Sequence, residues 1–133
     1  MILNDRPIIR GELVPHMNHQ TQIIKFEEVG NMATIDLHMH SVISIDGELE
    51  PEEVIRRAVS RGIRAAALTD HNSVRGVSRA WEEAARLGIR LAKGVELDCR
   101  LGERNLHLLA YGIDERHPVF AEIEEEILAQ ERR

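Results

Sequence analysis

Aromatic residues are nearly missing from this chain, with one Trp, one Tyr and two Phe among 133 residues. A core that cannot be filled by rings must be built from Ile, Leu, Val and Ala, which suits an α/β protein of one domain's length. Cysteine is limited to Cys99. That excludes an internal disulfide framework, fits a reducing compartment and leaves Cys99 expected as a small buried hydrophobe. There is no basic excess either: 17 Lys and Arg are mixed with 23 Asp and Glu, for a net charge of -6. No electrostatic footprint for duplex nucleic acid results, although single nucleotides or short strands stay open as partners. No apolar run is long enough to span a bilayer, and the first residues lack the charged-then-apolar order of a secretory signal. The expectation is a soluble, cytoplasmic protein with no membrane partner.

Regular patterning is also absent at the start. Residues 1–31, including "RPIIRGELVPHMNHQTQ", carry two prolines, scattered charge and no sustained period. They read as a partly irregular N-terminal extension in which "IIKFEEV" suits one strand and His16 and His19 have no ligand-like setting. The compact domain is expected over residues 32–133.

From Thr34 the pattern is regular. "TIDLH" reads as a strand. "LEPEEVIRRAVSRGI" reads as a helix with Pro51 in its first turn, acidic residues early, arginines late and Gly62 as its stop. "IRAAALTD" is a nearly unbroken apolar run of the kind buried on both faces of a parallel sheet. A second helix, "SVRGVSRAWEEAARLG", leads into a third strand, "IRLAKGVEL". A fourth strand, "NLHLLAYGI", follows "DCRLGER", where Gly102 predicts a tight reversal and a local hairpin. "HPVFAEIEEEILAQERR" reads as a last helix with Ile123 and Ile127 inward. Alternating strands and helices with short links predict βαβ units and a mainly parallel sheet, with the strand C-termini gathered on one edge. That edge is where chemistry collects in such folds.

The polar residues fall on that edge. His38 and His40 in "DLHMH" are two apart, so both imidazoles project to one side. Asp46 follows in a short loop. "TDH" places Asp70 and His71 at the end of the second strand, "GVEL" places Glu96 on the third, and His107 lies on the fourth. Each signal alone has a plainer reading: H-x-H as a polar strand end, Thr and Asp as helix caps, Glu96 as a solvated strand end, His107 as a satisfied core histidine. Their coincidence at one rim, with no cysteine cluster, matches a ligand set for Zn, Mn or Fe rather than for Ca or a lone Mg. Asp98 shares a face with Glu96 and reads equally as a supporting carboxylate or a solvated one. Arg75, in the first turn of the second helix, would meet a phosphate beside backbone N–H groups, or serve as a plain surface arginine.

"DLHMHSVISIDG", "LTDHNSVRG", "GVEL" and "HLLAYGID", in this order over residues 34–133, resemble the PHP (polymerase and histidinol phosphatase) family, especially its stand-alone metal-dependent phosphoesterases. The resemblance implies part of a distorted (β/α)7 barrel, mainly parallel strands with flanking helices, and a divalent metal cluster of Mn, Zn or Fe. It also implies metal-ligand roles for His38, His40, Asp46, His71, Glu96 and His107, with Glu96 bridging. Asp36 and Asp70 would orient the neighbouring imidazoles. The implied reaction is hydrolysis of a nucleotide, oligonucleotide or other small phosphoester by a metal-activated hydroxide. Family members continue for about the same length again and there supply a further histidine and a late D-x-H pair. The chain is therefore expected to represent the N-terminal half of the domain. The alternative expectation is a truncated, non-catalytic module that binds metal or a partner, self-associating through an exposed sheet edge.

Overall fold

A computed structural model of the protein describes residues 34–131. The elements run β1 (Thr34–Met39), α1 (Pro51–Ser60), β2 (Ile63–Leu68), α2 (Val77–Leu87), β3 (Arg90–Leu101), β4 (Arg104–Tyr111) and α3 (Val119–Glu131). The strand expected in "IIKFEEV", together with His16, His19 and the expected domain start at Met32, lies outside the described residues. One four-stranded sheet has the order β1-β2-β3-β4. β1 and β2, and β2 and β3, pair in parallel, while β3 and β4 form an antiparallel hairpin.

The helices cover one face of this sheet because their apolar residues recur at helical spacing. Pro51 opens α1, Glu52 and Glu53 follow at its positive end, and Val54, Ile55 and Ala58 turn inward. Ala80 and Ala84 of α2 meet them over Ala66 and Leu68 of β2 and Leu91 of β3, with Trp81 partly buried at the margin. Alanine at these positions lets helix and sheet backbones approach closely, which is how a core nearly without rings is filled. Fully buried Ile55 contributes about 1.5–3 kcal/mol by transfer from water. Gly88 closes α2 in the left-handed region at φ 71, its N–H bonded to the carbonyls of Ala84 and Ala85, and the chain turns straight into β3.

Two boundaries and two burials differ from the sequence reading. α2 starts at Val77 rather than Ser73, because residues 73–76 form a turn in which Gly76 packs against Asp70, Leu68 and Pro51. β3 does not stop near Leu97. It runs on to Leu101, and Leu101 pairs with Arg104 across a two-residue turn at Gly102 and Glu103. Gly102 at φ 62 supplies the conformation such a turn demands. Cys99 is half-buried rather than buried. It pairs with Leu106 in the outer part of the hairpin, where Leu101, Leu106 and Leu108 are exposed. Ile123 and Ile127 of α3 are likewise half-buried, and Phe120 is the α3 residue packed against Val74, Val77 and Val95.

The sheet is strongly curled. Tyr111 at the end of β4 donates its hydroxyl proton to the Leu37 carbonyl of β1 at 2.8 Å. Three strand spacings of a flat sheet would separate these strands by about 14 Å, beyond a tyrosine's reach. The four strands therefore form a half-barrel whose concave side gathers the polar strand ends.

Candidate metal centre

β1 carries His38 at its end, and His40 follows one residue beyond it. Asp36 Oδ1 accepts from the His38 backbone N–H at 3.1 Å. The chain then folds into a compact loop held by Ser44 N–H to the Ser41 carbonyl, Gly47 N–H to the Ser44 carbonyl and Val42 N–H to the Leu49 carbonyl. Buried Asp70 anchors this loop, accepting from Ser41 N–H at 2.5 Å and from the Ser41 hydroxyl at 2.7 Å. The loop sets Asp46 Oδ1 2.9 Å from His40 Nδ1. From the end of β2, His71 enters with its backbone N–H donated to Ser44 Oγ at 2.7 Å. A single parallel bridge between His71 and Glu96 continues the β2–β3 pairing past the strand end.

Glu96 is the hub. Its side chain is only 3% exposed, and its Oε2 lies 2.7 Å from His38 Nε2, 3.0 Å from His40 Nε2 and 3.6 Å from His71 Nε2. Its other oxygen, Oε1, is 2.8 Å from His107 Nδ1. Among the described residues its ion-pair partners are thus imidazoles alone. His107 reaches it from the middle of β4, opposite Asp98, rather than from a strand end as the sequence reading has it. The hairpin explains this: an antiparallel strand runs back past the rim, so its interior residues face the parallel strands' C-termini. The four rings stand in a row with centroids 4.8–5.0 Å apart.

The charges respond to this crowding. Burial pushes the Glu96 carboxyl upward, but the His38 hydrogen bond and the neighbouring imidazoles prevail and hold it below the ordinary value. Asp46 follows the same pattern, burial being outweighed by its bonds with His40 and Ser44. His71 is raised: burial opposes its charge, but the Asp98 hydrogen bond and the carboxylates around it win. Asp70 is raised by burial despite its bonds from Ser41.

The six residues expected from sequence, His38, His40, Asp46, His71, Glu96 and His107, together line one cavity of about 330 Å³. Asp36 and Asp70 are placed otherwise than expected. Among the described residues their hydrogen bonds go to the His38 backbone and to Ser41, and neither touches an imidazole. Asp36 braces the backbone two residues along its own strand, while Asp70, at the end of β2, reaches across to Ser41 beyond the end of β1. Of Asp36, Asp70 and Asp98, the one that bonds an imidazole is Asp98, whose Oδ1 is 2.8 Å from His71 Nδ1. Its spacing of two from Glu96 was the available signal. Ser44, which holds both His71 and the His40 side, had no sequence signal beyond its place in the loop. Arg75 lies two residues ahead of α2, not in its first turn. Its guanidinium faces Glu124 of α3 at 3.5 Å, and it is not among the cavity's lining residues.

The donor set suits a divalent cation. Ligand atoms within 4.8 Å of one another occur in three overlapping groups: His38, His40 and Glu96; His40, Asp46 and His71; and His71, Asp98 and His107. Two donors on one Zn at bond lengths of about 2.0–2.2 Å stand about 3.3–3.6 Å apart in tetrahedral geometry. The N···O distances around Glu96 bracket that spacing. Imidazole and carboxylate without thiolate fit Zn, Mn or Fe alike, so the donors define the class of ion and not its identity.

Fold and donor set thus define an α/β half-barrel with a histidine-rich, metal-type centre at the C-terminal edge of its parallel strands. The chain belongs to the PHP domain family, whose model matches residues 36–132. It is 46% identical over 90 residues to a 3',5'-nucleoside bisphosphate phosphatase of Chromobacterium violaceum, covering 68% of this chain and 31% of that protein. It is 39% identical over 83 residues to a 5'-3' exoribonuclease of Haemophilus influenzae, covering 62% and 30%. Among solved structures, a Bifidobacterium adolescentis protein assigned as a metal-dependent phosphoesterase superposes with a TM-score of 0.69 at 26% identity, covering 77% of this chain and 36% of that one. The chain spans about a third of the length of the relatives it matches. Among the described residues no helix is long and apolar enough to cross a membrane.

Proposed function

We propose that this chain forms the N-terminal part of a metal-dependent phosphoesterase centre acting on a nucleotide, an oligonucleotide or another small phosphoester. One observation carries the reading: four imidazoles converge on the buried carboxylate of Glu96 at the edge where α/β folds place their chemistry. His38, His40, Asp46, His71, Glu96 and His107 are the residues that would hold the ions. A divalent cation there supplies Lewis-acid neutralisation of phosphoryl oxygens and lowers the pKa of an attacking water. Everything else is the protein's own work. Glu96 offsets the charge of whatever the imidazoles bind, and burial of that carboxylate strengthens its field. Asp70 and Ser41 fix the loop that presents Asp46. The rim stays open to a phosphoester, with the His38 and His107 side chains 49% and 58% exposed. The names of the relatives, a nucleoside bisphosphate phosphatase and an exoribonuclease, support a phosphate carried on a nucleoside as the substrate class. We place the protein in the cytoplasm, on the strength of its single cysteine.

The test is metal content by mass spectrometry together with Mn-dependent release of phosphate from a 3',5'-nucleoside bisphosphate and of nitrophenol from bis(p-nitrophenyl) phosphate. Wild type is expected to show both, and Glu96→Gln neither. Bound metal with no turnover would favour the second reading, a non-catalytic PHP module that binds metal or a partner. Among the described residues β1 is an edge strand that exposes Ile35 and Leu37, which supports self-association in that case. Light scattering after size exclusion would detect it.

A further inference from the structure

Asp98 sits two residues beyond Glu96 on β3 and opposite His107 on β4. Its Oδ1 is 2.8 Å from His71 Nδ1. An ionised carboxylate only accepts, so the proton of that bond belongs to Nδ1. Neutral imidazole carries a single N–H, which leaves the lone pair on Nε2. That nitrogen faces Asp46 Oδ2 at 3.4 Å and Glu96 Oε2 at 3.6 Å, looser than the hydrogen bond behind it.

Asp98 is itself held in place. Its backbone N–H donates to Asn72 Oδ1 at 2.9 Å, and Asn72 Nδ2 donates to Asp98 Oδ2 at 2.8 Å. The first of these bonds sets the amide's orientation, with its oxygen on the backbone and its NH2 on the carboxylate. Asn72 stands at φ 52, a left-handed conformation that costs a non-glycine residue free energy. Its own N–H is bonded to the Glu96 carbonyl at 2.8 Å. A strained residue with three hydrogen bonds therefore aims the Asp98 carboxylate at His71 Nδ1, with His107 Nε2 beyond hydrogen-bond reach at 3.6 Å.

We propose that Asp98, held by Asn72, is a positioning residue that keeps the proton of neutral His71 on Nδ1 and turns the Nε2 lone pair toward a cation bound beside Asp46 and Glu96. The inference rests on the metal centre proposed above. A carboxylate behind a ligating histidine fixes tautomer and ring orientation in this way. Asp98→Asn gives the sharpest contrast. Because Asn72 presents its NH2, the new amide must turn its oxygen to Asn72 and its own NH2 to His71 Nδ1. His71 then carries its proton on Nε2, aimed at the ion's position.

The experiment uses the full chain. Long-range 1H–15N spectra of chelator-treated protein at about pH 8, well above the ordinary histidine range, read the His71 tautomer, assigned by comparison with His71→Gln. Calorimetry with Mn2+ alone reads affinity. Wild type is expected to hold Nδ1–H and Asp98→Asn to hold Nε2–H, with Mn2+ affinity reduced about 10–100-fold. Asp98→Ala, which offers Nδ1 neither donor nor acceptor, is expected to give mixed tautomers and serves if the Asn variant does not fold. Nδ1–H persisting in both variants, or wild-type affinity in both, would overturn the proposal. Tautomer reversal in a protein that takes up no Mn2+ would uphold the role of Asp98 while removing the metal centre.

Discussion

His38 Nε2 and Glu96 Oε2 stand 2.7 Å apart although 58 positions separate them in the chain. Two parallel strand pairings, β1 with β2 and β2 with β3, carry that contact. Another imidazole, His107, reaches the same carboxylate only because β4 runs antiparallel. The centre is therefore a property of the sheet's register, and substitutions within it report on that geometry.

Glu96→Gln keeps the shape of the side chain but replaces an oxygen by an NH2 facing imidazoles. Mn2+ or Zn2+ affinity, measured by calorimetry, is expected to fall by more than about 100-fold, beyond the range seen when a supporting residue is lost. Unchanged affinity would remove Glu96 from the centre.

Metal addition should stabilise the chain by mass action. At a free ion concentration of 100 times Kd the gain is about 2.7 kcal/mol. For a domain of this size that raises the thermal midpoint by roughly 10–20 °C. Scanning fluorimetry with and without chelator checks this, and a midpoint indifferent to metal counts against the assignment.

The pH dependence has opposite signs for the two states. His71 is raised above 6.5 in the folded chain, so its contribution to metal-free stability is complete below that value and is lost as pH rises through the folded pKa. Glu96 and Asp46 are lowered, so their contributions hold above 4.5 and 3.8 and are lost as pH falls through their folded values. Metal-free protein is expected to lose stability as pH rises above about 6.5. Metal affinity should rise over the same interval, because ligating imidazoles must shed their protons. Chelator-treated and Mn2+-loaded melting curves across that range test both signs.

Gly47→Ala should damage the centre without touching a donor. A Cβ there would overlap the Ser41 carbonyl, so the loop must open. Asp46 would then leave His40. Lower Mn2+ affinity and a lower thermal midpoint are expected, and an Ala variant equal to wild type in both would show that the loop tolerates the opening.

Ile55→Val separates fold from centre. It removes one buried methylene from the helix–sheet core and should cost about 0.5–1.5 kcal/mol in urea unfolding. Mn2+ affinity should be unchanged, since Ile55 lies in the core cluster and not among the cavity's lining residues.

Much of this molecule was determined locally and so was legible in the sequence. Pro51, the early glutamates and the Gly88 stop set the helices through short-range chemistry, and the apolar run of β2 follows from burial on both faces. The H-x-H spacing put His38 and His40 on one side of β1 because strand geometry has a period of two. Tertiary structure decided the rest. The turn at residues 73–76 replaced a helical start because Gly76 packs against Asp70, a contact between chain segments. Cys99 stayed half-buried because no described element covers that part of the hairpin. Asp36, Asp70 and Asp98 are alike in composition and edge position, and sequence assigned the imidazole-bonding role to the first two. Only the β2–β3 register and the Asn72 clasp, which bring His71 and Asp98 together across 27 positions, assigned it to the third. A hydrogen bond is decided by distance and direction in space, and neither is written in the spacing of residues along a chain.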